Sequence, residues 1–118
     1  NKNIILHSDG KSIRNFCYVA DFIIGLFHVL FKGKTGEAYN VSSEDEHSIK
    51  YVANLLVNKI FKKRCLKVVH KKQKNPYVRA NFKRSTCSNR KARLLGWKLK
   101  FNIEHGMQRT IKSYYQIK

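Results

Sequence analysis

Short apolar runs alternating with segments of helical period predict a mixed α/β fold for this chain. Three observations carry that prediction. Ile4-Ile5-Leu6 and Leu66-Lys67-Val68-Val69 have the length and apolar character of strands. Two longer stretches, from Val19 and from Ile49, repeat apolar residues at i, i+3, i+4 and i+7. Asp-Gly, Gly and Ser punctuate the joins between them, and the apolar fraction of 42% with 12% aromatic residues is that of a folding chain.

Taken in order, Ile4–Leu6 reads as a fully buried strand, and Asp9-Gly10 as a turn in which glycine supplies the positive φ. Ile13, Phe16 and Tyr18 have the bulk of a half-buried strand that carries Arg14. Asp21 stands before Phe22-Ile23-Ile24 as an N-cap. The helix it opens is apolar nearly all round, with Val19, Phe22, Ile23, Leu26, Phe27 and Leu30 on one face and Ile24, Val29 and Phe31 on the other, so it must be covered on both sides. Lys32-Gly33-Lys34-Thr35-Gly36 ends it, lysines meeting the negative end of the dipole.

Ala38-Tyr39-Asn40-Val41 reads as a further buried strand, followed by the polar connection Ser42–Glu46. Ser48 caps a helix whose inward stripe is Ile49, Val52, Ala53, Leu56 and Ile60, closed by Lys62-Lys63-Arg64. A long basic loop from His70 to Asn81 surrounds the single proline, Pro76. Ser88 caps a short helix with Ala92, Leu94 and Leu95, stopped by Gly96, and Asn102 caps a last one with Ile103, Met107, Ile111 and Tyr114 inward.

The net charge of +18 in 118 residues points to a polyanionic or phosphorylated partner. The basic run from Lys62 to Lys74 would suit nucleic acid, but aromatic residues interleave poorly there and no helix-turn-helix, RRM or KH pattern is present, so a solvated basic face satisfies the same residues. Cys17, Cys65 and Cys87 and the five histidines lack the spacing of a disulfide framework or a metal site; no metal is expected, and a reducing, cytoplasmic setting is the simpler one. The longest apolar run, Phe22 to Phe31, is too short to span a bilayer. An arginine just before a helix suits a phosphate or carboxylate, and spacing alone leaves Arg14 open between that role and a solvated surface cation.

Four blocks narrow the reading: Asp9-Gly10-x-x-x-Arg14-Asn15-Phe16-x-Tyr18-Val19-x-Asp21, then Gly36-Glu37-Ala38-Tyr39-Asn40-Val41, then Lys91-Ala92-x-x-Leu95-Gly96-Trp97-Lys98, then Glu104-x-Gly106-x-x-Arg109-Thr110-Ile111. In this order, across nearly the whole chain, they resemble the C-terminal part of an extended short-chain dehydrogenase/reductase of the NAD-dependent epimerase/dehydratase family acting on nucleotide sugars. The resemblance implies one partial domain over residues 1–118, a substrate-binding lobe that lacks the dinucleotide-binding Rossmann half. It implies that Arg14 contacts the nucleotide diphosphate and that a second arginine joins it, Arg84 by spacing with Arg79 as a rival. Ser88 stands where the family carries Asp.

No Gly-rich fingerprint occurs, and five of the six tyrosines lack a Lys four residues on; the sixth, Tyr114, has Lys118 there. With no catalytic or cofactor-binding residue of its own, the chain is expected to be inactive alone, NAD or NADP belonging to the full-length parent. The resemblance thus implies the back half of a sugar-nucleotide epimerase, dehydratase or reductase, working in sugar-nucleotide or bacterial surface-polysaccharide biosynthesis. Its partners would be a nucleotide diphosphate sugar, the Rossmann half and a second copy of the parent, and not a membrane or nucleic acid. The alternatives are a small basic nucleic-acid-binding module and a remnant without activity.

Overall fold

The computed structural model describes residues 2–71 and 82–116. These form two compact units, Asn1–Arg14 with His47–Ser85 and Asn15–Glu46 with Thr86–Lys118.

In the first unit, β1 (Ile4–Leu6) lies parallel to β4 (Val68–His70), Ile4 opposite Val68 and Leu6 opposite His70. The ladder closes at both ends: Ile4 N–H donates to the Lys67 carbonyl at 3.0 Å and Lys71 N–H to that of Leu6 at 2.9 Å. With a single partner strand, β1 is only half covered; Leu6 is buried while Ile5 stays 50% exposed, against the expectation of a fully buried strand. Ser48 caps α2 (Ile49–Leu55) as its sequence position predicts, its Oγ accepting from Tyr51 N–H at 3.1 Å. The helix opens into a wide π turn over Leu56–Ile60, which alters the angular step between side chains, and burial falls on Val52, Ala53, Leu55 and Val57 rather than on Leu56 and Ile60. A three-stranded sheet has the order β3 (Glu46–Ser48), β2 (Ile13–Asn15), β5 (Arg84–Ser85), with β2 parallel to β5. The strand expected to reach Tyr18 thus stops at Asn15.

The second unit is organised by α1 (Val19–Lys32). Asp21 is not its N-cap: Tyr18 holds that position without a side-chain bond, and Asp21 sits fully buried in the first turn. Its Oδ2 accepts from the main-chain N–H groups of Lys100 (3.1 Å) and Phe101 (2.9 Å), and its own carbonyl accepts the indole N–H of Trp97 at 2.9 Å. The position is favourable for a carboxylate, since the helix dipole is positive there. One turn later Gly25 leaves room for the buried Trp97: a Cβ at Gly25 would lie 3.0 Å from the indole and 2.3 Å from Val41 Cγ1. His28 Nδ1, another turn on, pairs with the Leu95 carbonyl at 3.2 Å.

Trp97 is delivered by α3 (Arg90–Leu94) and the turn at Gly96, whose φ of +93° favours glycine. Ser88 lies one residue before the cap position, its Oγ accepting from Arg90 N–H at 3.3 Å, and Asn89 occupies the cap itself. Asn102 accepts from His105 N–H at 2.9 Å at the start of α4 (Ile103–Gln116), as its position predicts. Gly106 of α4 packs against Tyr18, which meets Phe101 edge to face with centroids 5.0 Å apart, and the Arg109 guanidinium lies 5.0 Å from the Phe101 ring. Tyr114, expected inward, is 72% exposed. Ala38–Val41 forms no strand among the described residues. No described helix is long and apolar enough to cross a membrane.

Three measurements test this packing. Asp21→Ala leaves two part-buried N–H groups without their acceptor and should cost about 1–3 kcal/mol of unfolding free energy in urea titrations. Gly25→Ala gains about 1 kcal/mol of helix propensity, but its Cβ collides with Val41 Cγ1 and crowds the indole, and a net loss of about 1–2 kcal/mol is expected in the same assay. Burial, with the Asp21 carboxylate nearby, pushes the Cys17 thiol pKa up, whereas Cys65 and Cys87 are exposed. Alkylation followed by mass spectrometry should modify Cys65 and Cys87 first, and the Cys17 rate should climb only at more alkaline pH.

Candidate functional site

The loop from Ser8 to Ser12 is a rigid platform because each of its turns is tied. Asp9 Oδ1 accepts from Lys11 N–H at 2.9 Å, an Asx turn, and Ser8 Oγ accepts from Gly10 N–H at 3.3 Å. Gly10 has the left-handed φ of +70° that the Asp-Gly pair predicts. Its carbonyl and that of Ser12 then accept the N–H groups of Lys50 (2.9 Å) and Ile49 (3.1 Å), which fastens the loop to the start of α2. Beside it, Ile13 N–H donates to the Lys83 carbonyl at 2.9 Å, bringing the Lys83-Arg84 pair alongside β2.

A cleft of about 560 Å³ results, lined by Asp9, Lys11, Ser12, Ile13, Lys83 and Arg84. Three cations face one carboxylate across it, so the cleft favours an anion of more than one charge. Arg84, named from sequence, is part of this lining. Lys11, Ser12 and Lys83 were not named, since Lys11 and Lys83 become neighbours only through the pairing of β2 with β5.

Arg14 has a different setting. Its Nη1 donates to the carbonyls of Ile13 (2.6 Å) and Phe82 (3.2 Å), and Nη2 donates to Phe82 at 3.2 Å. Two carbonyls therefore fix the guanidinium plane, leaving Nε–H and one Nη2–H among its five donors. The register sets Arg84 opposite Ile13 and Arg14 opposite Ser85, so the two arginines occupy adjacent strands on alternate faces of the pleat, and Arg14 does not line the cleft. The structure places them side by side without bringing both into one cavity. Arg79 lies outside the described residues.

A second cleft, of about 660 Å³, lies in the other unit and is lined by Glu44, Asp45, Asn89, Arg90, Arg93, Leu94, Lys98 and Leu99. Glu44 there pairs with Arg93 at 3.3 Å and accepts from Asn89 N–H at 3.3 Å, so its charges largely answer one another. It is the larger of the two clefts, and its lining carries the smaller excess of positive charge.

A tyrosine that acts as acid or base needs a cation beside its hydroxyl. Tyr39 and Lys91 come together, with Nζ 5.3 Å from the ring centroid, but the Tyr39 hydroxyl accepts from Lys34 N–H at 3.0 Å and Lys91 is paired with Glu37. That pairing holds the Lys91 pKa up and the Glu37 pKa down, so the amine stays charged and cannot act as a base. A dinucleotide needs glycines that open a helix directly after a strand; Gly10 instead has its Cβ position blocked at 2.9 Å by Lys50, and Gly25 is filled by Trp97. The described residues therefore do not fit a dinucleotide cradle. Among them, no three His, Cys, Asp or Glu side chains gather as metal ligands.

No protein-family model matches the chain. It is 32% identical over 117 residues to the dTDP-D-glucose 4,6-dehydratase of Mus musculus, covering 97% of this chain and 32% of that protein. It is 30% identical over 115 residues to a trifunctional UDP-glucose 4,6-dehydratase/UDP-4-keto-6-deoxy-D-glucose 3,5-epimerase/UDP-4-keto-L-rhamnose reductase of Arabidopsis thaliana, covering 98% of this chain and 17% of that one. The crystal structure of dTDP-glucose 4,6-dehydratase from Bacillus anthracis in complex with NAD superposes with a TM-score of 0.77 at 25% identity, over 98% of this chain and 35% of that one. The chain thus spans about a third or less of the relatives it matches. Matched along nearly its whole length in sequence and in fold, it corresponds to the C-terminal part of such a protein and belongs to the extended short-chain dehydrogenase/reductases.

Proposed function

We propose that this chain is the nucleotide-sugar-binding lobe, over residues 1–118, of an NAD- or NADP-dependent epimerase, dehydratase or reductase. The observation that carries the reading is the cleft where Lys11, Lys83 and Arg84 converge beside the strand of Arg14. A diphosphate has the charge to offset that cluster, and guanidinium groups grip its oxygens with direction as well as strength. In this reading Arg84 holds the diphosphate from within the cleft. Arg14, outside the cleft with its plane set by the Phe82 carbonyl, would meet a part of the ligand that extends beyond the cleft.

The relatives' names specify dTDP- and UDP-sugars, which makes a pyrimidine nucleotide the first ligand to try. On this reading the lobe binds and orients sugar nucleotide, while the hydride acceptor and the general base belong to a Rossmann-type half carrying NAD or NADP. The setting would be cytoplasmic synthesis of activated sugars, including those for surface polysaccharide, by a parent that pairs with a second copy of itself.

The net charge of +18 favours a second reading, a nucleic-acid-binding module. Calorimetry separates the two. On the first reading dTDP-glucose or UDP-glucose binds, and Arg14→Ala and Arg84→Ala each weaken it about tenfold or more, the scale of one charge-assisted phosphate contact. Unchanged affinity in both variants would overturn it. Tight binding of an oligonucleotide whose log K falls steeply with log salt, with no sugar-nucleotide binding, would install the second reading instead.

A further inference from the structure

We infer that the cleft between the Glu44-Asp45 turn and α3 is a binding site for a small phosphorylated polyol, a molecule with one phosphate monoester and several hydroxyl groups. Its lining shares no residue with the cleft of Lys11, Lys83 and Arg84, so the inference stands independently of the sugar-nucleotide reading.

The lining is close to balanced in charge, but only one of its ion pairs is closed. Glu44 holds Arg93 at 3.3 Å and accepts from Asn89 N–H at 3.3 Å. Among the described residues, the Asp45 carboxylate, the Arg90 guanidinium and the Lys98 ammonium have no side-chain partner. Asn89 is the buried member of the lining, 1% exposed. Its Nδ2 donates to the Ser42 carbonyl at 2.8 Å, which fixes the orientation of the amide and leaves Oδ1 buried with no hydrogen-bond partner. Native folds keep few such acceptors, and each calls for a donor.

Both walls are set before anything binds. Asp45 N–H donates to Oγ of the buried Ser43 at 3.0 Å, and Asn15 Nδ2 donates to the Asp45 carbonyl at 3.3 Å. On the other side, Lys98 and Leu99 lie between Trp97 and Lys100-Phe101, all three of which are bonded to Asp21. The open groups thus line a preformed cleft of about 660 Å³, a size that suits a small molecule.

Sign and donor count decide what fits. A phosphate monoester brings about two negative charges and three acceptor oxygens at neutral pH, which suits Arg90, Lys98 and the remaining donors of Arg93. Asp45 and Asn89 Oδ1 can only accept, so the same ligand must also carry donors. Inorganic phosphate would face Asp45 with like charge, and so would a second phosphate on one ligand. An ammonium group would meet three cations. Hydroxyl groups serve both acceptors without a charge, and the C–H face of the polyol has Leu94, 78% exposed, and Leu99 to rest on.

Titration calorimetry of the 118-residue chain with glucose 6-phosphate and glycerol 3-phosphate, set against glucose and inorganic phosphate, tests the assignment. At least one phosphorylated polyol is expected to bind about tenfold or more tighter than either inorganic phosphate or glucose. Asp45 and Arg90 are exposed and make no side-chain bond among the described residues, so Asp45→Ala and Arg90→Gln should leave melting within about 2 °C. Arg90→Gln is expected to weaken the phosphorylated polyol about tenfold or more, the scale of one charge-assisted contact. Asp45→Ala separates hydroxyl recognition from charge. Removing a carboxylate from a plain anion cleft tightens every phosphate, whereas removing a hydroxyl acceptor weakens the phosphorylated polyol about fivefold or more and leaves inorganic phosphate as tight or tighter. Polyol phosphates that bind no better than inorganic phosphate, tighter polyol phosphate binding by the Asp45→Ala chain, or indifference to Arg90→Gln would each overturn the inference. So would no heat at millimolar ligand, or binding lost on Arg84→Ala with Arg90→Gln silent, which would put the ligand in the other cleft.

Discussion

The second unit depends on one carboxylate. Asp21 is buried without a cation beside it; what holds it is a pair of main-chain N–H groups from Lys100 and Phe101 and the positive end of its own helix. These two bonds, both to Oδ2, offset part of the cost of burying the side chain, whose Oδ1 is buried with no hydrogen-bond partner among the described residues. Because Asp21, Gly25 and His28 follow one another at i, i+4 and i+7, the same contact repeats up the helix: carboxylate to N–H, glycine under indole, imidazole to carbonyl. One face of α1 is thereby committed to the segment that carries Trp97, and every other surface of the helix is left to point away.

The first unit solves a different problem, which is to hold cations together. Lys11, Lys83 and Arg84 line one cleft because the loop and the two strands that carry them are tied together by the main chain. The Asx turn at Asp9, the left-handed Gly10 and the two bonds from the start of α2 stiffen that loop. Arg14 shows the same economy on the neighbouring strand, its guanidinium held by carbonyl oxygens rather than by a carboxylate, so its positive charge is positioned without being neutralised.

Much of this was legible locally. The strand at Ile4, the Asp9-Gly10 turn, the Ser48 cap and the Asn102 cap were readable because each depends on residues a few positions apart. What was hidden depends on distance along the chain. Asp21 before an apolar run looks like a cap, and nothing nearby announces that its partners lie about eighty residues on. Periodicity located α1 and showed it to be apolar on two faces, but not that the face toward its own unit would be the small and polar one. Arg84 could be named from spacing; its neighbours Lys11 and Lys83 could not, since only strand pairing unites them.

These two features together explain why a chain so basic carries so much uncovered apolar surface. A helix that folded on its own unit by hydrophobic burial would turn Phe27 and Leu30 inward and leave Asp21 in water. The observed helix does the reverse, and it can do so only because hydrogen bonds to Asp21 and the fit of Trp97 against Gly25 fix its orientation by geometry rather than by area. Apolar area is then free to be used elsewhere. Fixing orientation with directional bonds and reserving the non-directional attraction for another surface lets the unit take shape before its large apolar face is covered, and presents that face in one defined geometry to whatever body covers it.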